Sequence, residues 1–367
     1  METSRPDSPA VVTAVGLMSG TSMDGVDAAL IGTDGERVVW RGPAITLAYE
    51  PPFRERLRGV LGGRGDVAGV ERALTERHAE AVRRLLVEAG IGAGDVAVVG
   101  FHGQTILHRP AERRTWQIGD GPLLARLVGI DVVHDLRSAD VAAGGEGAPL
   151  APVLHRAMAD RLERPLVMLN IGGVANATWI GPDGALVAFD TGPGNALIDD
   201  WLLRKVGRAY DADGAMARTG TVDRPALERL LDHPYFARRP PKSLDRDDFR
   251  AAQDAVSGLS PADGAATLAA FTVASAAGAA RHFPAPARRW LVCGGGRRNA
   301  VLLEGLRAAL RVPVDPVEAI GWDGDALEAQ AFALLAVRSL RGMPISYPAT
   351  TGVAAPMTGG RLARRPG

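Results

Sequence analysis

Cysteine is all but missing: Cys293 stands alone among 367 residues, so no disulfide can close within the chain. The opening METSRPDSPA has neither the basic start nor the apolar run of a secretion signal. The two absences predict a cytoplasmic protein. Long hydrophobic runs are lacking too. The most apolar stretch, residues 265–280, is interrupted by Thr267, Thr272 and Ser275 and falls short of the roughly 20 residues a membrane span needs; it reads as a buried, Ala-rich helix. Net charge is also absent, because 42 basic and 42 acidic side chains cancel. No global field then draws in nucleic acid or an anionic membrane, and a small-molecule partner is expected. Neither the G-x-x-x-x-G-K-[ST] loop nor the protein-kinase motifs occur, which excludes the two commonest phosphoryl-transfer architectures. The GGGRRN at 294–299 comes too late, with the wrong spacing, for a dinucleotide fingerprint.

What is present in quantity is glycine, 45 residues clustered after apolar segments, as in backbone-lined ligand loops. The length accommodates two domains, each with its own core, and predicts two lobes with a cleft between them. Residues 11–18 and 26–31 read as two strands joined by the polar loop 19–25, with a third strand at 38–47. Val70, Leu74, His78, Val82 and Leu85 recur at spacings of three and four and predict a helix over 67–89. A strand at 96–101, a helix at 121–128 and a short strand at 131–134 complete an α/β alternation. At 164–180 the opening theme returns as a second hairpin. Then come a loop-rich insertion at 234–244, a strand at 290–293 running into three glycines, and helices at 297–310 and 326–340. The border is placed by motif near 138–150. It predicts one lobe over 10–140, completed by the tail 342–367, and a second over 141–341.

A strand–loop–strand near the N-terminus, a second in mid-chain and a late strand–GGG–helix are the parts a two-lobed phosphotransferase needs. ATP would lie in its central cleft. Glycine at a loop tip lets backbone N–H groups close on phosphate oxygens. The loops in question are Gly20 to Gly25 and Thr191 to Gly194. Each alone is also what a plain hairpin turn looks like. Asp190, in FDTGPGN, puts a carboxylate at a strand end before a glycine turn and is the candidate base; capping a helix or turn is its competing role. Asp24 and Asp27 flank the first loop and could hold Mg²⁺ through water, or be solvated turn carboxylates. Cys293 has no cationic neighbour in sequence and reads as a small buried strand residue.

GLMSGTSMDGVDAAL at 16–30 resembles the opening signature of the anhydro-N-acetylmuramic acid kinases. The resemblance continues in order through GFHGQT (100–105), QIGDG (117–121), HDLR (134–137), GAPLAP (147–152), LNIGGVAN (169–176), FDTGPGN (189–195), PPKS (240–243), CGGG (293–296) and DALEAQAFA (325–333). It implies a two-lobed actin-like ATPase (ribonuclease H-like) fold, use of ATP and Mg²⁺, and a homodimer. The implied reaction is hydrolytic opening of a 1,6-anhydro sugar with phosphorylation of O6. It assigns Asp190 as base and Gly20, Thr21, Ser22, Met23, Asp24, Gly25, Val26, Asp27, Gly192, Gly194, Gly294 and Gly295 to the nucleotide. To the sugar it assigns His102, Gln104, Arg137 and Glu328, with Arg137 facing the lactyl carboxylate. Two places depart from the pattern: Glu146 stands where the family usually has Gln, and Leu244-Asp245 where Thr-Gly is common. Both are expected to leave the phosphate motifs untouched. Two rival readings are a conventional sugar kinase, with Asp190 deprotonating a hydroxyl, and a nucleotide-gated binding module.

Overall fold

The structure, a computed structural model, describes residues 9–20, 22–244, 248–249 and 251–367. The chain divides into two compact units, Met1–Arg161 with Asp325–Gly367, and Leu162–Gly324. In the first, strands β1 (Val12–Ser19), β2 (Gly25–Thr33), β3 (Val38–Ala48), β4 (Val98–Arg109), β5 (Arg114–Ile118), β6 (Val132–His134) and β12 (Arg361–Ala363) form one sheet. Its order is β12-β6-β4-β1-β2-β3, with β5 paired to β4. The β1–β2–β3 meander is antiparallel, whereas β4 joins β1, and β6 joins β4, in parallel. In the second unit, β7 (Leu166–Ile171), β8 (Val174–Ile180), β9 (Leu186–Pro193), β10 (Arg289–Cys293) and β11 (Val314–Pro316) are ordered β11-β10-β7-β8-β9. Again an antiparallel meander is extended by two parallel strands. The recurrence that the sequence showed only in plan is therefore a repeat of topology, the ribonuclease H-like arrangement of an actin-like α/β ATPase.

The predicted helix is present over Val67–Ala89, with Val70, Leu74, His78, Val82 and Leu85 on its buried face. Asp66 accepts the N–H of Gly69 to cap its start, a contact worth about 1 kcal/mol. Gly90, at φ +66°, closes its end in the left-handed conformation glycine takes without strain. The Ala-rich stretch is a helix over Pro261–Gly278, buried in the second unit beside Trp201 and Trp290.

Two expectations are corrected. The strand predicted to stop at residue 101 runs to Arg109, because β5 returns antiparallel and carries the pairing on through the polar HGQT run. The division of the chain also falls elsewhere than at 140/141 and 341/342. Helix Leu327–Leu340 belongs with the first sheet, since its backbone lies on β1 and β4. A Cβ built on Gly16 would stand 1.7 Å from the Ala329 carbonyl oxygen, and one on Gly100 1.9 Å from that of Phe332. Only glycine permits so close an approach.

Candidate active site

In the first unit, β1 delivers Ser19 and the turn that follows. A one-way chain of hydrogen bonds holds it. Tyr49 Oη donates to Ser19 Oγ (2.7 Å), Ser19 donates to Gln104 Oε1 (2.8 Å), and Gln104 Nε2 donates to the Gly20 carbonyl (3.0 Å). The Met23 N–H also reaches Gly20 O, at 3.1 Å, with Met23 itself at φ +52°. Ser22 donates to Asp24 Oδ1 at 2.7 Å, so its hydroxyl serves the turn. Thr46 donates to Asp27 Oδ1 at 2.6 Å. Val26 lies in the core, so only its main chain is available to a ligand. Thr21 and Asp245 lie outside the described residues.

A bulge where β4 leaves its register with β1 re-aims the side chains after Phe101, and Gly103 at φ +73° makes the kink. Gln104, expected at the sugar, is 1% exposed with its amide committed to Ser19 and Gly20, so it positions the turn. His102 is likewise buried. Its Nδ1 donates to Gly103 O (2.7 Å) and its Nε2 accepts from Arg137 Nε (3.0 Å). Burial first, and the Arg137 charge second, hold the imidazole well below its usual pKa and therefore neutral. Its direct part is to orient Arg137. That guanidinium also donates to Gly147 O at 2.6 Å and sits over Phe332, and burial lowers it to about 10. No carboxylate of the described residues lies within 4 Å of it. Glu328 attracts it from further away, and Glu328 itself is raised by burial and then by Asp27 and Asp24, against the pull of Arg137. Glu328 nonetheless keeps its side chain open to solvent, and that access decides that a ligand can reach it.

In the second unit Asp190 lies inside β9, three residues before its end. The strand continues because Thr191 is looped out as a bulge: Asn176 pairs with Asp190 and Ala175 with Gly192. The Asp190 carboxylate accepts the Leu244 N–H at 2.8 Å, its N–H donates to Lys242 O at 3.1 Å, and Tyr235 Oη donates to its carbonyl. The Leu244-Asp245 departure thus does touch a phosphate motif, through a main-chain N–H that any residue but proline supplies.

The glycines divide. A Cβ on Gly20 would meet nothing nearer than Ser22 Oγ at 3.5 Å, and one on Gly295 only Asn195 Nδ2 at 3.6 Å, so both are open to a ligand. Gly25, Gly192, Gly194 and Gly294 instead serve protein packing, against Leu47 O, Ser275, Gly172 O and Asn170. The Gly194 N–H is spent on Gly173 O at 2.9 Å. For Mg²⁺ the described residues hold no group of three ligating side chains. Asp24 and Asp27, two hard oxygen donors near enough to raise Glu328, fit an ion that keeps most of its waters.

A family model described as anhydro-N-acetylmuramic acid kinase matches residues 12–364. The chain belongs to the anhydro-N-acetylmuramic acid kinase family. It is 62% identical over 349 residues to the anhydro-N-acetylmuramic acid kinase of Paramagnetospirillum magneticum, covering 95% of this chain and 98% of the relative. To that of Rhodospirillum rubrum it is 61% identical over 360 residues, covering 96% and 95%. Component A of the Acidaminococcus fermentans (R)-2-hydroxyglutaryl-CoA dehydratase superposes with a TM-score of 0.50 at 13% identity, over 90% of this chain and 99% of that one, a likeness of fold alone.

Within this family member, two groups escaped the sequence reading. Gly172 and Gly173 form the β7–β8 turn, the topological counterpart of the Gly20 turn. Their carbonyls accept the N–H groups of Asn195, Gly194 and Ala196, and a Cβ on either would meet nothing nearer than 3.5 Å. The repeat of the opening hairpin at 164–180 was the signal. The other is Lys242 in PPKS, 5% exposed, whose burial no local pattern announces.

Proposed function

We propose that the protein is an ATP- and Mg²⁺-dependent kinase that opens 1,6-anhydro-N-acetylmuramic acid with water and phosphorylates O6, giving N-acetylmuramic acid 6-phosphate and ADP. The observation that carries the sugar assignment is Arg137. A half-buried guanidinium, fixed through His102 and Gly147 with no carboxylate of the described residues in contact, is a receptor for a ligand's own carboxylate, as the lactyl group supplies. Glu328, with its raised carboxyl, accepts or donates to a sugar polar group. Asp190 takes a proton from water as the oxygen adds to C1; the C1–O6 bond breaks, and O6 accepts the γ-phosphoryl group. The Gly20 and Gly172–Gly173 turns present backbone to the phosphates, and Gly295 leaves room for the nucleoside. Asp24 and Asp27 would hold Mg²⁺ through water, and the ion would there supply charge neutralisation on the transferred group.

The test is incubation with ATP, Mg²⁺ and the anhydro sugar in ¹⁸O-water, quenched early. A 6-phosphorylated reducing sugar labelled at C1, with unlabelled phosphate, is expected. Label at C1 no faster than in unlabelled product held in the same water would leave a conventional sugar kinase. The protein works in the cytoplasm as a homodimer, and light scattering on the purified chain should give twice the 38.4 kDa monomer mass.

A further inference from the structure

Forty-two residues of this chain are Lys or Arg, and only two of them are lysines, Lys205 and Lys242. Lys205 is exposed, with its ammonium on Ser257 O and the Trp201 ring. Lys242 is its opposite: 5% exposed, 4.4 Å above the Tyr235 ring, and donating to Tyr235 O at 3.2 Å. It borders a cavity of about 210 Å³ in the second unit, whose wall also includes Thr191, Phe236, Arg281 and His282. No carboxylate of the described residues lines that cavity. The basic groups act on one another. Burial and then Arg281 and Arg238 lower Lys242 to about 8, while burial, Lys242 and Arg281 lower His282. His282 Nε2 accepts from Arg281 Nε at 3.4 Å, and Arg281 also donates to Phe236 O.

Converging cations with no acid beside them among the described residues carry a repulsion and a desolvation cost that an anion would remove. Phe236 and Ala279 give the cavity an apolar side. We propose that this cavity is an oxyanion subsite that binds a phosphate group, with the Lys242 ammonium as its central donor and Arg281 and His282 beside it. A tetrahedral phosphate has enough oxygens to meet all three, and a protonated His282 would add to the charges of Lys242 and Arg281. A compact ammonium enters where the broad guanidinium fork used elsewhere in this chain would not. The phosphate is inorganic phosphate or the ester of a sugar phosphate. Only the second source rests on the kinase reading.

Lys205 is a built-in control for the test. The full chain is treated with limiting acetic anhydride at pH 8, and acetylation of Lys205 and Lys242 is followed by mass spectrometry. The reaction is run in chloride of matched ionic strength, with inorganic phosphate, and with N-acetylmuramic acid 6-phosphate. Lys242 should react roughly fivefold or more slowly at saturating ligand, with Lys205 unchanged. The effect should disappear in Arg281→Gln, a change at an exposed residue. Slowing by both ligands, or by inorganic phosphate alone, supports the subsite; slowing by the ester alone supports it and names the source. Equal rates with and without either ligand overturn it. So does a Lys242 that is never acetylated in the free protein, or protection undiminished in Arg281→Gln. Because the inorganic phosphate arm is independent of turnover, an inactive kinase and an empty subsite give different results.

Discussion

In the proposed reaction Asp190 and Arg137 divide the chemistry, and each predicts a distinct kinetic signature. Asp190→Asn keeps the acceptor oxygen for the Leu244 N–H but cannot take a proton. Turnover should fall about 10²–10⁴-fold with ATP affinity retained, as single-turnover rates and nucleotide titration would show. Retention of more than about a third of turnover would remove Asp190 from the mechanism. Arg137→Lys preserves charge but cannot reach His102, Gly147 and a carboxylate together. It should raise the KM for the anhydro sugar by tenfold or more, with the ATP KM unchanged, about 1.4 kcal/mol or more of lost binding. His78 predicts an effect on stability instead. Buried against Phe101, it is held neutral at about 4 from an unfolded value of 6.5. A depressed histidine makes the unfolded chain bind the extra proton between those values, so stability is full above pH 6.5 and declines as the pH falls towards 4. At pH 5 the loss is about 2 kcal/mol relative to pH 8. Urea unfolding of His78→Leu should show a correspondingly flatter acid limb.

The hairpin turns and the helix on the first sheet decide which glycines tolerate a side chain. Gly20→Ala should fold and bind ATP more weakly, since the space around it is open. Gly194→Ala should be unstable, because its Cβ would stand 2.2 Å from Gly172 O. Thermal melts beside nucleotide titrations separate the two. Gly16→Ala and Gly100→Ala press on the backbone of helix Leu327–Leu340 and should cost upwards of about 3 kcal/mol or abolish soluble protein. The same elements show where sequence was legible. Helix Val67–Ala89 was readable because one face alone is apolar. Helix Leu327–Leu340 is buried almost throughout, so its sequence gives no face that points to its partner, and its unit was misassigned. Asp190 was placed at a strand end because Gly192 and Pro193 read as a turn; pairing across the Thr191 bulge overrides them. His102 and Gln104 are expected at the sugar from the sequence, whereas their hydrogen bonds go to protein groups. That they act on Arg137 and Gly20 depends on the Gly103 kink, which spacing alone does not encode.

The molecule as a whole repeats one sheet topology in two units and divides the proposed work between them. The sugar-recognising groups and one phosphate turn belong to the first, the base and the other turn to the second. No described helix is long and apolar enough to cross a membrane. Glu328 lies three residues past Asp325, where the chain returns to the first unit, so under the proposed function sugar recognition waits on that return. The order of synthesis gives the return a cost. Residues up to Arg161 leave the ribosome well before helix Leu327–Leu340 exists, so the nascent β1 and β4 show water the face that this helix comes to cover. The intervening Leu162–Gly324 carries every strand of its own sheet and can mature first. The nascent enzyme thus passes through a stage with one finished half and one sticky half, and holdase chaperones would find their target on the sheet that was made first.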